Sequence, residues 1–152
     1  MKQLQRVPIS SFEEIFGPPG NEKDFVKLPF PFAMIASWDD SLVLKSFYGH
    51  KYIGEAVIDA LTEIRDYYGY QVLHDMELDK WGGCYANRQT ITGKRKSIHA
   101  WGLAIDYLPH MGPYNKPSMI PYHIVNAFKK RGFVWGGDWS IPDAMHFSAV
   151  EE

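Results

Sequence analysis

Apolar residues return every three to four positions between residues 50 and 68. Ile53, Val57, Ala60, Leu61, Ile64 and Tyr68 fall on one stripe, and Glu55, Asp59, Thr62 and Asp66 fall on the opposite face. That period predicts a helix over 50–68, closed by Gly69 just past its end. A second helix is predicted over 121–131. Pro121 suits its first turn, Ile124, Ala127 and Phe128 face inward, and Gly132 closes it. Lys129, Lys130 and Arg131 complement the negative end of its dipole. Near the start, Ser11 and Glu14 have the spacing of a capping box, and the short helix they begin must stop at Gly17-Pro18-Pro19-Gly20.

Alternation with period two marks the strands. In residues 103–108, Leu103, Ile105 and Tyr107 lie on one face and Ala104, Asp106 and Leu108 on the other. Strands are also predicted over 70–74, 133–135 and 145–150, with Gly136-Gly137 as a turn or bulge between the last two. Residues 75–81 fit either a loop or a short helical turn, 84–88 read as extended, and 109–117 form a loop rich in Pro and Gly. Residues 21–46, with Pro29 and Pro31 around Phe30 and Phe32, read as an extended segment wrapping the back of the domain, with a turn at 38–41. Helices alternate with short strands, but no 30-residue strand–helix–strand repeat recurs. The fold class expected is therefore α+β: a small, mainly antiparallel sheet with helices packed on one side.

Composition narrows this only a little. A chain of 152 residues, 45% apolar and 15% aromatic, fits one domain with a substantial core. No linker, repeat or second domain is visible, so one domain without a separate binding module is expected. A net charge of −2 gives no reason to expect nucleic acid as the partner. No run of eighteen apolar residues is present, so no membrane insertion is expected. The first residues, MKQLQRVPISSFEE, carry no apolar stretch of a signal peptide, which predicts synthesis in the cytoplasm without one. The single cysteine, Cys84, excludes an intrachain disulfide.

The chemistry is concentrated in residues 97–106, SIHAWGLAID. His99 and Asp106 are seven apart, which in an unbroken strand places them on opposite faces. Both can face one centre only if the chain bends between them, and Gly102 is the residue suited to that bend. Asp106 is otherwise a lone carboxylate among apolar neighbours, costly unless paired, protonated or bound to a metal. Farther on, Asp143 and His146 are three apart in GFVWGGDWSIPDAMHF. His99, Asp106 and His146 would give two nitrogens and one oxygen, leaving a fourth position for water. That is the open arrangement of a catalytic zinc, with one Zn2+ per chain. Asp143 would then be the general base.

SIHAWGLAID resembles the Ser-x-His-x-x-Gly-x-Ala-x-Asp motif of the zinc D-alanyl-D-alanine metallopeptidases, and DAMHF resembles their Asp/Glu-x-x-His motif. WGGDW, shortly before, is similar to the phage and bacterial L-alanyl-D-glutamate endopeptidases of that group. The resemblance spans roughly residues 47–147. It implies the D-Ala-D-Ala peptidase fold, shared with hedgehog domains, and a zinc peptidase acting on the peptidoglycan stem peptide. Arg88 stands where the family carries an arginine that binds substrate and stabilises the oxyanion. Asn115 stands where the family often carries an asparagine. Asp138, Ser97 and Tyr85 are candidates for orienting the histidines. Ser97, Tyr85 and Trp139 are candidates for contacting substrate, and Trp135 and Phe147 for lining the cleft with Trp139. Aspartate rather than glutamate at position 143 points to the endopeptidase branch. The resemblance thus implies a phage endolysin that reaches the wall after release, and a monomer is expected.

Three alternatives stand beside that reading. One is a D-alanyl-D-alanine carboxypeptidase on the same site. Another is a cysteine amidase with Cys84 as nucleophile. The third is a zinc-containing binding module without activity.

Overall fold

The structure is a computed structural model describing residues 1–152. In chain order the elements are β1 (Val7–Pro8), α1 (Phe12–Phe16), β2 (Phe25–Ala36), β3 (Val43–His50), α2 (Lys51–Tyr68), α3 (Tyr70–Asp75), β4 (Lys80–Gly83), β5 (Ala104–Tyr107), α4 (Tyr122–Lys129), β6 (Val134–Trp135), β7 (His146–Ser148) and β8 (Val150–Glu151). The main sheet has six strands in the order β3-β2-β4-β5-β7-β6. Only β2 and β4 run parallel within it; the other neighbours are antiparallel. A separate parallel pair joins β1 to β8, with Val7 beside Val150. The fold is α+β with a mainly antiparallel sheet. No helix is long and apolar enough to cross a membrane.

The two amphipathic helices form where their patterns place them. Ile53, Val57, Ala60, Leu61 and Ile64 of α2 are buried, as are Ile124, Ala127 and Phe128 of α4. The imidazole of His50 caps α2, its Nδ1 accepting the Tyr52 amide at 3.0 Å. Helix α2 packs on β2 and β3, and α4 packs against α2. Arg131, just past α4, is buried between them. Its guanidinium donates to Asp59 (2.8 Å), Glu63 (3.1 Å) and the Ala127 carbonyl (2.8 Å). A buried guanidinium is tolerated because its donors are satisfied.

Four expectations change. Residues 21–46 do not merely wrap the back: β2 and β3 are a long hairpin within the main sheet. The prolines obscure it, since they cannot donate to a ladder. Pairing with β3 slips between Pro29 and Met34, and β4 pairs with β2 only at Ile35 and Ala36, beyond the prolines. Residues 70–74 are helical rather than a strand. Leu73 is the buried member of α3, whereas Tyr70 and Val72, which suggested alternation, are exposed. Ser11 precedes α1 but makes no side-chain cap; its hydroxyl turns back to the Pro8 carbonyl. Finally, residues 145–150 are not one strand. The chain leaves β7 at Ala149, whose carbonyl takes the Val7 amide, and continues as β8 against β1.

Candidate metal and catalytic site

His99 sits in a 3-10 turn, Ile98–Trp101, on the edge of the core. The Ser97 hydroxyl caps this turn by accepting the His99 amide at 3.3 Å. The turn ends at Gly102, whose backbone is left-handed (φ 66°) and whose amide donates to the His99 carbonyl. A Cβ at Gly102 would come within 2.6 Å of the Phe25 ring and 2.9 Å of the His50 amide nitrogen. Glycine is required there both for the backbone angle and for the close approach. The bend therefore lies where the seven-residue spacing demands it.

Beyond the bend, β5 carries Asp106 and β7 carries His146, and the two are directly opposite in the antiparallel register. Cross-strand partners share a face of the sheet. The carboxylate and the second imidazole are thus brought together by pairing, while the first imidazole arrives through the 3-10 turn. Two glycines leave room for them. A Cβ on Gly82 would lie 2.8 Å from Asp106 Cβ, and one on Gly136 would lie 2.3 Å from the Asp143 carbonyl oxygen and 3.2 Å from His146 Cβ.

One candidate ligand atom from each of His99, Asp106 and His146 lies within 4.8 Å of the others. His99 Nε2 is 3.3 Å from Asp106 Oδ1, and His146 Nδ1 is 3.6 Å from the same oxygen. Hydrogen bonds on the far sides of the rings fix which nitrogens face inward. His99 Nδ1–H donates to the Cys84 carbonyl at 2.7 Å, leaving the Nε2 lone pair toward the centre. His146 Nε2–H donates to Glu152 Oε1 at 2.7 Å, leaving Nδ1 toward the centre. His99 Nε2 and Asp106 Oδ1 are buried and have no aligned hydrogen-bond partner, despite their separation of 3.3 Å. Buried polar atoms are rarely left this way. Two imidazole nitrogens and a carboxylate oxygen converging on one point are a donor set that can hold a metal ion, and they suit zinc.

The electrostatics follow from burial and from this convergence. Burial works against the charge on Asp106, but the neighbouring His99 and His146 outweigh it and hold the carboxyl far below its ordinary range. Burial likewise works against a proton on His146. The Asp106 and Glu152 carboxylates on either side of it prevail and, without metal, lift it to about 10. Burial raises the Asp143 carboxyl from its ordinary value. Glu152 is lowered despite its burial, by His146 and by Arg95.

A cleft of about 450 Å³ opens onto these groups. Asp143, Arg88, Ser97 and Trp139 line it together with His99 and His146. Trp139 lies beside His146, with ring centroids 5.2 Å apart. Arg88 is exposed on the rim, and its guanidinium donates only to the neighbouring Gln89 carbonyl. Asn115, on the loop after β5, has a left-handed backbone (φ 58°), and its amide donates to the Pro142 carbonyl.

Other candidates fall elsewhere. Asp138 does not orient a histidine; it is held outward by Lys129 at 2.7 Å. Tyr85 packs edge-on against Phe25 and is not part of the cleft wall. Trp135 donates its indole N–H to the Ala144 carbonyl beneath the Lys129 ammonium, and Phe147 stacks on Phe128 in the core. Cys84 is no nucleophile. Its thiol is buried against the Gly102 carbonyl, and burial pushes its pKa well above the ordinary thiol value. What Cys84 contributes is its backbone carbonyl, which orients His99.

The group absent from the sequence-based set is Glu152. It reaches His146 because the chain kinks at Ala149, a tertiary event that no spacing rule signals.

Residues 90–149 match a family model described as D-alanyl-D-alanine carboxypeptidase. The matched segment holds His99, Asp106, Asp143 and His146, with Arg88 just upstream. Peptidases of this family are zinc-dependent, and the match supports a metallopeptidase. No curated protein and no solved structure matches the chain.

Proposed function

We propose that this chain is a zinc-dependent peptidase of the peptidoglycan stem peptide, cutting between L-alanine and D-glutamate as a phage endolysin does. The observation that carries the reading is the orphaned pair His99 Nε2 and Asp106 Oδ1, buried together, with His99 on the wall of the cleft that also holds Asp143 and Arg88. A binding module needs no buried carboxyl poised beside such a centre.

His99, Asp106 and His146 hold the metal, which when bound supplies Lewis acidity at the scissile carbonyl. Asp143 accepts a proton from the attacking water and returns it to the leaving amine. Burial moves its carboxyl upward, closer to the range in which one group can do both. Arg88 reaches from the rim toward the negative charge that develops on the carbonyl oxygen. Ser97 keeps the His99 turn in shape, and Trp139 walls the cleft beside His146. Arg88 and Lys94, both on the cleft wall, make no ion pair with any carboxylate of the protein. They are free to meet the carboxylates of an acidic stem peptide. One catalytic domain acting as a monomer, with neither a nucleic-acid partner nor a membrane-inserted segment, suffices for this chemistry.

The family description favours a second reading, D-alanyl-D-alanine carboxypeptidase activity at the same site. A digest of purified peptidoglycan, read by mass spectrometry with and without a chelator, separates the two. New D-glutamate amino termini, lost on chelation, are expected. Release of terminal D-alanine alone would assign the carboxypeptidase. No cleavage of any wall type, by a protein that binds zinc stoichiometrically, would overturn the peptidase reading.

A further inference from the structure

His146 presents Nδ1 to the centre only while its other nitrogen carries the proton. Glu152 is placed to enforce this. Its Oε1 accepts His146 Nε2–H at 2.7 Å, and its Oε2 is held by Arg95 Nη2 at 2.9 Å. Both oxygens are engaged, and the Glu152 side chain is only 9% exposed. Arg95 belongs to the loop that also brings Thr90, Ile91, Thr92 and Lys94 to the cleft. A carboxylate gripped on both sides has little freedom to rotate, so the imidazole it holds is fixed in tautomer and in plane.

We propose that Glu152 is a positioning residue for the metal centre, and that Arg95 anchors Glu152 rather than binding substrate. The inference rests on the metallopeptidase reading of His99, Asp106 and His146. It assigns Arg95, which by charge alone looks like a substrate-binding cation, to the support of a ligand. Lys94 and Arg88 are left as the free cations of the rim. The arrangement also joins the cleft loop to His146 through two consecutive charge-assisted hydrogen bonds.

The test measures zinc affinity by competition with a chromophoric chelator, together with the His146 tautomer from long-range 15N–1H correlation of the zinc-loaded protein. Wild type is expected to show Nε2–H with Nδ1 toward the metal. Glu152→Ala is expected to lose about 10–100-fold in zinc affinity, the range typical when a partner behind a ligating histidine is removed. Glu152→Gln keeps an acceptor oxygen and should recover part of that loss. A purely structural glutamate would not order the variants this way. Arg95→Met leaves Glu152 in place but unanchored and should show a smaller loss. It carries the test alone if Glu152→Ala does not fold. Wild-type affinity and an unchanged tautomer signal in Glu152→Ala, or in Arg95→Met where that variant stands alone, would overturn the inference while leaving the metal site intact. A wild-type protein that takes up no zinc would instead overturn the metallopeptidase reading on which the inference rests.

Discussion

Asp143→Ala is expected to lower turnover by about 10²–10⁴-fold, the usual worth of a positioned general base, while stoichiometric zinc is retained. The two halves of this result have separate causes. Asp143 contributes no atom to the His99–Asp106–His146 cluster, so removing its carboxyl leaves the ligands in place. Its backbone amide, which donates to the Gly136 carbonyl, and its carbonyl, which accepts the His146 amide, both survive in alanine. The local turn that presents His146 should therefore persist. Steady-state hydrolysis of a stem-peptide substrate, paired with metal analysis of the same sample, reads both. Unchanged turnover would remove Asp143 from the mechanism.

His146→Ala should behave in the opposite way, losing the metal itself. The loss in zinc affinity is expected to exceed the roughly 10–100-fold typical of removing a partner behind a ligand, and dialysed protein should contain little zinc. Activity falls with it. A further effect appears without metal. His146 lies between Asp106 and Glu152, two carboxylates it contacts on either side. Without the imidazole their mutual repulsion has no cation between them, and thermal unfolding should move to lower temperature. Stoichiometric zinc in dialysed His146→Ala would show that the ligand set is wrong.

What the sequence discloses here is what depends on short range. The periods of α2 and α4, the alternation of β5 and the bend at Gly102 all follow from neighbours within a few residues, and they stand in the structure. The three candidate ligands are legible for a related reason. Two of them flank a single bend, and the third sits close after a carboxylate in a glycine-rich stretch. What is hidden depends on partners far along the chain. The strand β2 contains two prolines and reveals itself only through pairing with β3 and β4. Tyr70 and Val72 alternate as a strand would, but no neighbouring strand is there to pair with them, and the segment coils after Gly69. Asp138 looks like a histidine partner by proximity in sequence, yet Lys129 takes it. Glu152 is nearer still, six residues after His146, but it follows the ligand in a stretch that alternation alone would continue as strand, and it becomes the partner because the chain turns at Ala149 and β8 is drawn toward β1.

The register that sets Asp106 opposite His146 also ties the metal to folding equilibrium. Shifting β7 by one residue against β5 would turn His146 to the other face of the sheet and dissolve the cluster. An ion bound by this cluster is thus a ligand of the correctly paired state alone, apart from weak binding to the unfolded chain. By linkage it adds stability as RT ln(1 + [Zn]/Kd), about 4 kcal/mol at a free concentration a thousandfold above Kd. Thermal midpoints should accordingly rise with free zinc and fall on chelation. An ion held there for the proposed chemistry would also select, among possible strand alignments, the one in which that chemistry exists.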